Sequence, residues 1–236
     1  MKMKNNREPN IIFKERSINY NYFAGEFLLK TLIKFQKESK GKISVALSGG
    51  STPLPILEIL MTKKLDWERF NFFMVDERCV SLENSSSNYG NIYKIFFNKI
   101  QSNNYSMVQE GLSFNESIKK YKKDIIENVA IGENGFPKFD LILLGMGDDG
   151  HTASLFPNTN ALIEKNEVAV INKVPQLKTE RITLTYPTIL NAIEIIVMVK
   201  GENKEEIISE LYSSSSKKYP MLKIVEEHSN LKWLIG

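Results

Sequence analysis

The chain reads as an α/β protein with a mainly parallel central sheet flanked by helices. Two observations predict this. The apolar runs at 42–47, 70–75 and 139–144 lack strict alternation, as expected of strands buried on both faces. Segments with apolar residues at helical spacing separate them, so strand and helix alternate as in βαβ units.

Each element has its own signal. Phe23, Phe27, Leu28, Thr31, Leu32 and Phe35 recur at helical spacing and predict an amphipathic helix over roughly 17–38. The strand 42–47 leads through Ser48-Gly49-Gly50-Ser51-Thr52 into a helix over 53–63. Pro53 in its first turn, with Ser51 and Thr52 as capping candidates, marks that start. The strand 70–75 runs into Asp76-Glu77-Arg78, and a polar loop over 81–88 leads to a helix near 89–97. Ser113 and Glu116 form a capping-box pattern for a helix over 113–129. After the strand 139–144, further strands are expected at 168–171, 181–184 and 194–199. A helix over 202–212, an exposed loop at 213–216, a polar helix bearing His228 and a closing strand at 231–235 complete the chain. No repeat or linker divides it, so a single domain over 1–236 is expected.

Composition excludes several classes. Hydrophobic content of 42% and charged content of 25% are those of a soluble globular protein. The net charge of +3 comes from scattered lysines without a dense basic block, which argues against nucleic acid and suits an anionic metabolite. The single cysteine, Cys79, rules out an internal disulfide or a CxxC metal knuckle and fits a reducing compartment. The polar N-terminus has no apolar core of a signal peptide, and no apolar run approaches the ~18 residues that span a bilayer. A cytoplasmic protein is expected, with no membrane association.

Four segments can carry chemistry. The loop 48–52, at the start of a helix, combines free N–H groups, the helix dipole and the hydroxyls of Ser51 and Thr52 into an anion site; a plain glycine turn with a cap fits equally. It has neither the lysine of a Walker loop nor GxGxxG spacing. Asp76-Glu77-Arg78 can clamp a substrate through charge-assisted bonds or form a surface ion pair. The run 144–157, Leu-Gly-Met-Gly-Asp-Asp-Gly-His-Thr-Ala-Ser-Leu-Phe-Pro, places His151 beside Asp148 and Asp149 just past a strand end, where open α/β sheets bind ligands. His151 can be a general base held by Asp149. A metal role would need further His or Cys ligands, and His228 is poorly placed to supply one. Arg181 and Lys204 are cations near expected strand ends, able to meet a phosphate or to sit solvated.

Taken in order, SGGSTP, VDER with SSSNYG, LGMGDDGHTASLFP, RITLT and GENK resemble the 6-phosphogluconolactonase family, which belongs to a wider group with glucosamine-6-phosphate isomerase/deaminase. The resemblance runs from about residue 11 to the C-terminus. It implies a Rossmann-like α/β fold without a nucleotide, no required metal or cofactor, and a standalone enzyme acting as a monomer or small homo-oligomer. The implied reaction is hydrolysis of 6-phospho-D-glucono-1,5-lactone to 6-phosphogluconate, the second step of the oxidative pentose phosphate pathway. It further implies that Gly49, Gly50, Ser51 and Thr52 cradle the sugar phosphate and that Arg181 and Lys204 neutralise it. Arg78 would bind substrate or stabilise developing charge, Asp76 would be a polar contact or a second carboxylate at the site, and His151 would activate water with Asp149 orienting it. Ser81 stands where the family often has proline. The deaminases carry Asn-Glu-Pro where this chain has Leu155-Phe156-Pro157, which removes the carboxylate that isomerisation needs. A sugar-phosphate sensor is the non-enzymatic alternative, but no DNA-binding segment precedes the domain.

Overall fold

The structure, a computed structural model, describes residues 8–14, 19–201, 203–213 and 219–236. In chain order the elements are β1 (Ile11–Lys14), α1 (Tyr20–Glu38), β2 (Ile43–Leu47), α2 (Pro53–Leu60), β3 (Phe70–Met74), β4 (Asp76–Arg78), α3 (Asn88–Ile95), β5 (Asn103–Tyr105), α4 (Phe114–Asn128) and β6 (Leu141–Leu144). They continue with β7 (Ala169–Val174), β8 (Thr179–Leu184), α5 (Tyr186–Leu190), β9 (Glu194–Val199), α6 (Lys204–Tyr212), α7 (Met221–Glu227) and β10 (Leu231–Ile235). Short 3₁₀ turns link several of them.

Seven strands form the central sheet in the order β1-β10-β9-β6-β2-β3-β5, and every neighbouring pair is parallel. Every residue of β2, β3, β6 and β9 is buried, which is why their sequences are apolar throughout rather than alternating. The exceptions are Ser44 in β2, Asn71 in β3 and Glu194 in β9, whose carboxylate pairs with Lys232 at 2.6 Å. Because β3 lies on one side of β2 and β6 on the other, the chain changes direction between β2 and β6. At such a switch point the loops leaving the strands' C-terminal ends diverge and open a crevice.

A second sheet departs from the sequence expectation. The strands expected at 168–171 and 181–184 exist as β7 and β8, but they do not join the central sheet. They pair antiparallel in a three-stranded sheet, β4-β8-β7. Asp76-Glu77-Arg78, expected as the end of a strand, is itself the strand β4. Val75 joins the two sheets: its N–H donates to the Leu47 carbonyl and its own carbonyl accepts from the Leu184 N–H, each at 2.9 Å. The small sheet is thereby fixed at the C-terminal edge of the large one.

Helix boundaries follow local chemistry. The capping box of α4 forms as expected, with the Ser113 hydroxyl accepting from the Glu116 N–H and the Glu116 carboxylate accepting from the Ser113 N–H. The helix expected over 53–63 ends at Leu60 in a turn. The start of the first expected helix, Glu202 and residues 214–216 of the expected serine loop lie outside the described residues. His228 lies just past α7 rather than within a polar helix; its ring is buried, with Nε2 2.9 Å from the Ala192 carbonyl. Among the described residues no helix is long and apolar enough to cross a membrane.

Candidate active site

A polar cavity of about 310 Å³ opens at the C-terminal ends of β2, β6 and β9, against the small sheet. Gly49, Gly50, Ser51, Thr52, Asp76, Arg78, His151, Arg181 and Lys204 all line it. Asp149 does not line it but contacts the His151 ring. The four segments singled out in the sequence therefore converge on one crevice.

The loop 48–52 enters from β2. Gly50 has φ +98°, a conformation that L side chains rarely adopt, so the turn requires glycine there. Ser51 and Thr52, the capping candidates of the sequence, do not cap α2. Thr52 has helical backbone angles, φ −70° and ψ −47°, and makes no side-chain capping bond. A capping side chain needs an extended backbone to reach back to the first N–H groups. Both residues border the cavity instead.

Arg78 and Arg181 face each other across the β4–β8 ladder. Like charges directly opposite on a sheet repel. Among the described residues neither guanidinium takes part in an ion pair, and the Nε of each is buried without a partner. Arg78 does donate to the Ser86 carbonyl. Burial, and next the neighbouring Arg78, hold the Arg181 guanidinium below its ordinary pKa. Asp76 lines the same cavity but forms no ion pair with either arginine among the described residues, its carboxylate accepting from Ser154, so two adjacent cations remain to meet an anion. The nearby Cys79 is not a ready nucleophile: burial, aided by Glu180 and Glu77, pushes its thiol up to about 11.

The imidazole of His151 is fixed on two sides. Nδ1 lies 2.5 Å from Asp149 Oδ1, which also accepts the His151 backbone N–H at 3.1 Å. With Nδ1–H donated to the carboxylate, the lone pair falls on Nε2. The ring also stacks on Phe156 at 4.0 Å between centroids and 24° between planes. Gly147 lies directly beneath: a Cβ there would come within 2.2 Å of His151 Nδ1, so any side chain would displace the ring. Ala153, which borders the same cavity, takes φ +51° although it is not glycine. Such strain is held in place by its surroundings and gathers at functional sites.

Lys204 differs in detail from the sequence expectation of a free phosphate ligand. Its amino group is committed to the glycine loop, donating to the Met146 carbonyl at 3.0 Å and pairing with Asp148. That hydrogen bond from Lys204, with one from Asn203, holds the Asp148 carboxyl below its ordinary range. Lys204 therefore ties the start of α6 to the loop carrying His151 while still bordering the cavity.

The sequence reading missed three contacts. Asn88, the last residue of the expected polar loop and the first of α3, lines the cavity and donates from Nδ2 to the Asp76 carbonyl at 3.0 Å. Its helix-start signal was Ser87, whose hydroxyl accepts the Gly90 N–H at 2.9 Å. The fully buried Ser154 donates to Asp76 Oδ2 at 2.6 Å. Lys200, after β9, also borders the cavity. Among the described residues no group of three or more His, Cys, Asp or Glu is arranged to hold a metal ion.

Known proteins resemble this chain in sequence and fold. The family model described as glucosamine-6-phosphate isomerases/6-phosphogluconolactonase matches residues 23–233. The chain is 38% identical over 209 residues to a 6-phosphogluconolactonase of Chlamydia pneumoniae, covering 84% of this chain and 77% of that one. It is 33% identical over 202 residues to one of a Synechocystis species, covering 83% and 82%. The crystal structure of the 6-phosphogluconolactonase of Thermotoga maritima superposes with a TM-score of 0.81 at 29% identity, covering 96% of this chain and 99% of that one.

Proposed function

This chain belongs to the glucosamine-6-phosphate isomerase/6-phosphogluconolactonase family, and on that premise we propose that it hydrolyses 6-phospho-D-glucono-1,5-lactone to 6-phosphogluconate, as in the oxidative pentose phosphate pathway. It is a carboxylic ester hydrolase of the lactonase branch, as its curated relatives are named. The observation that carries the mechanistic reading is the unpaired Arg78–Arg181 pair sharing one cavity with a His151 held by Asp149.

The chemistry follows from the positions. The guanidiniums, with the hydroxyls and N–H groups of 50–52, grip the phosphate, a fixed charge that binds alike in ground and transition states. With that handle set, the lactone carbonyl comes to rest near His151. Nε2 removes a proton from water as the oxygen attacks C1, giving a tetrahedral oxyanion that a nearby cation stabilises. Collapse breaks the bond between C1 and the ring oxygen, and the imidazolium returns its proton to that oxygen. The resulting acid ionises to the carboxylate. Asp149 stabilises the transient imidazolium and keeps the tautomer correct. No further group is needed, because an alkoxide leaves an ester more readily than an amine leaves an amide.

Phe156 supports the lactonase over the isomerase. It stacks on His151 at the position where the isomerase branch carries its glutamate, leaving an apolar wall in place of a proton shuttle. The test is a lactonase assay near neutral pH, corrected for spontaneous hydrolysis, run beside an assay of ammonia release from glucosamine 6-phosphate. Enzyme-dependent lactone hydrolysis without ammonia release is expected. The reverse result would assign the chain to the other branch.

A further inference from the structure

Glu77 is the one residue of β4 that faces away from the cavity, because side chains alternate along a strand and Asp76 and Arg78 point toward it. It is completely buried, and among the described residues it has no cationic partner. Four donors meet its two oxygens instead. Oε1 accepts the backbone N–H groups of Arg78 and Asn88, each at 2.7 Å. Oε2 accepts the Tyr89 N–H at 2.7 Å and the Ser87 hydroxyl at 3.0 Å. Burying a carboxylate is costly unless its oxygens are hydrogen-bonded, and here every donor comes from β4 or the start of α3. Burial pushes the Glu77 carboxyl up from its usual range, and the three N–H groups oppose that shift.

What this carboxylate holds is the cavity wall. Asn88, fixed through its own N–H, lies over Gly49: a Cβ at Gly49 would sit 2.0 Å from Asn88 Oδ1. From there Asn88 reaches the Asp76 carbonyl. Arg78, fixed through its N–H, reaches the Ser86 carbonyl in the same segment. Glu77 thus ties the segment lying over the anion loop to the backbone of β4, while the Asp76 carboxylate is held separately by Ser154.

We propose that Glu77 is a positioning residue for substrate capture, which locks Asn88 and Arg78 against the phosphate end of the substrate. The proposal rests on the lactonase reading for the identity of that substrate. A positioning role acting through binding should appear in KM, because phosphate contacts are made equally in ground and transition states.

The experiment compares wild-type enzyme with Glu77→Gln and Asn88→Ala in steady-state lactone hydrolysis, and measures inorganic phosphate binding by calorimetry. Glu77→Gln preserves shape but turns an amide N–H₂ toward two donors. Asn88→Ala leaves the backbone N–H on Glu77 and removes only the contacts to Gly49 and Asp76. Both variants are expected to raise KM about tenfold or more with kcat within about threefold, and to weaken phosphate binding in parallel. A Glu77→Gln protein that melts earlier yet keeps its KM and phosphate affinity would make Glu77 purely structural and overturn the proposal. Should Glu77→Gln not fold, an unchanged KM and phosphate affinity in Asn88→Ala overturns it equally. A wild-type protein that binds phosphate but does not hydrolyse the lactone would remove the lactonase reading, while the phosphate affinities of the variants would still decide the role of Glu77.

Discussion

The two sheets of this molecule divide stability from chemistry. In the seven-stranded parallel sheet the central strands are buried end to end and carry almost no charge. Phe73 of β3 shows what they do: its ring stacks on Tyr105 at 4.5 Å and meets Phe139 edge-on at 5.4 Å. The three-stranded antiparallel sheet brings Asp76, Arg78 and Arg181 to the cavity, with Arg78 opposite Arg181 where repulsion works against the fold. The large sheet reaches the cavity mainly through its ends, from which the loops 48–52 and 145–153 emerge.

Separate losses should follow from lesions in the two regions. The largest expected effect is on His151, mounted at the end of β6. His151→Ala should lower kcat by about 10²–10⁴-fold, the range for removing a general base, with phosphate affinity and melting temperature nearly unchanged. Steady-state kinetics beside a thermal melt reads this directly, and a fully active variant removes His151 from the mechanism. Phe73→Ala is the opposite lesion. It should cost about 3–5 kcal/mol of stability, as deletion of a buried aromatic does, while the fraction that remains folded keeps its KM. A denaturant titration checks it; a drop in stability below about 1 kcal/mol would mean that the core tolerates the cavity by repacking.

The small sheet should respond in KM. Arg181→Ala removes one of two unpaired guanidiniums and should raise KM by roughly 10–100-fold with little change in kcat, since charge-assisted bonds contribute about 1.5–3 kcal/mol each. Lys204→Ala sharpens the contrast. Because Lys204 pairs with Asp148 and the Met146 carbonyl, its loss should loosen the loop carrying His151 and lower kcat as well as raise KM. Equal kinetic profiles for the two variants would mean that both lysine and arginine act only on phosphate.

The same division explains what was legible in the sequence. The strands of the large sheet announce themselves because burial on both faces demands unbroken apolar runs. β4 is three charged residues long, and β5 is Asn-Asn-Tyr, so neither carries a hydrophobic signal. That Arg78 stands opposite Arg181 is set by register between segments about 100 residues apart, which no local pattern encodes. The glycine loops and His151 were legible because tight turns and a rare residue type leave marks in composition. Asn88 and Glu77 were not. Asn88 looked like loop polarity, and Glu77 stood in a triplet that fits a substrate clamp or a surface ion pair; the N–H groups that hold Glu77 exist only once the chain has folded.

The smallest expected effect is a pH dependence far from the cavity. His228 donates Nε2–H to the Ala192 carbonyl, which leaves Nδ1 buried without a partner. Protonating Nδ1 would place a second N–H where no acceptor waits, so burial lowers this histidine below its ordinary range; the Ala192 carbonyl and Glu194 offset the shift only in part. The sign follows from linkage. The folded state binds the proton less tightly than the unfolded chain does, so the contribution of neutral His228 to stability is complete above the unfolded pKa. It is lost as pH falls through that value toward the folded one. Between about pH 7 and about pH 5, wild-type protein should therefore lose more melting temperature than His228→Gln, whose amide can keep the bond to Ala192. Carboxylates titrate in both proteins, so the difference between the two curves isolates His228. Parallel curves would mean that the ring accepts its second proton without cost, which the unpartnered Nδ1 argues against. KM for the lactone should not separate the two proteins at any pH, because His228 lies between α7 and β10, away from the cavity lined by the small sheet.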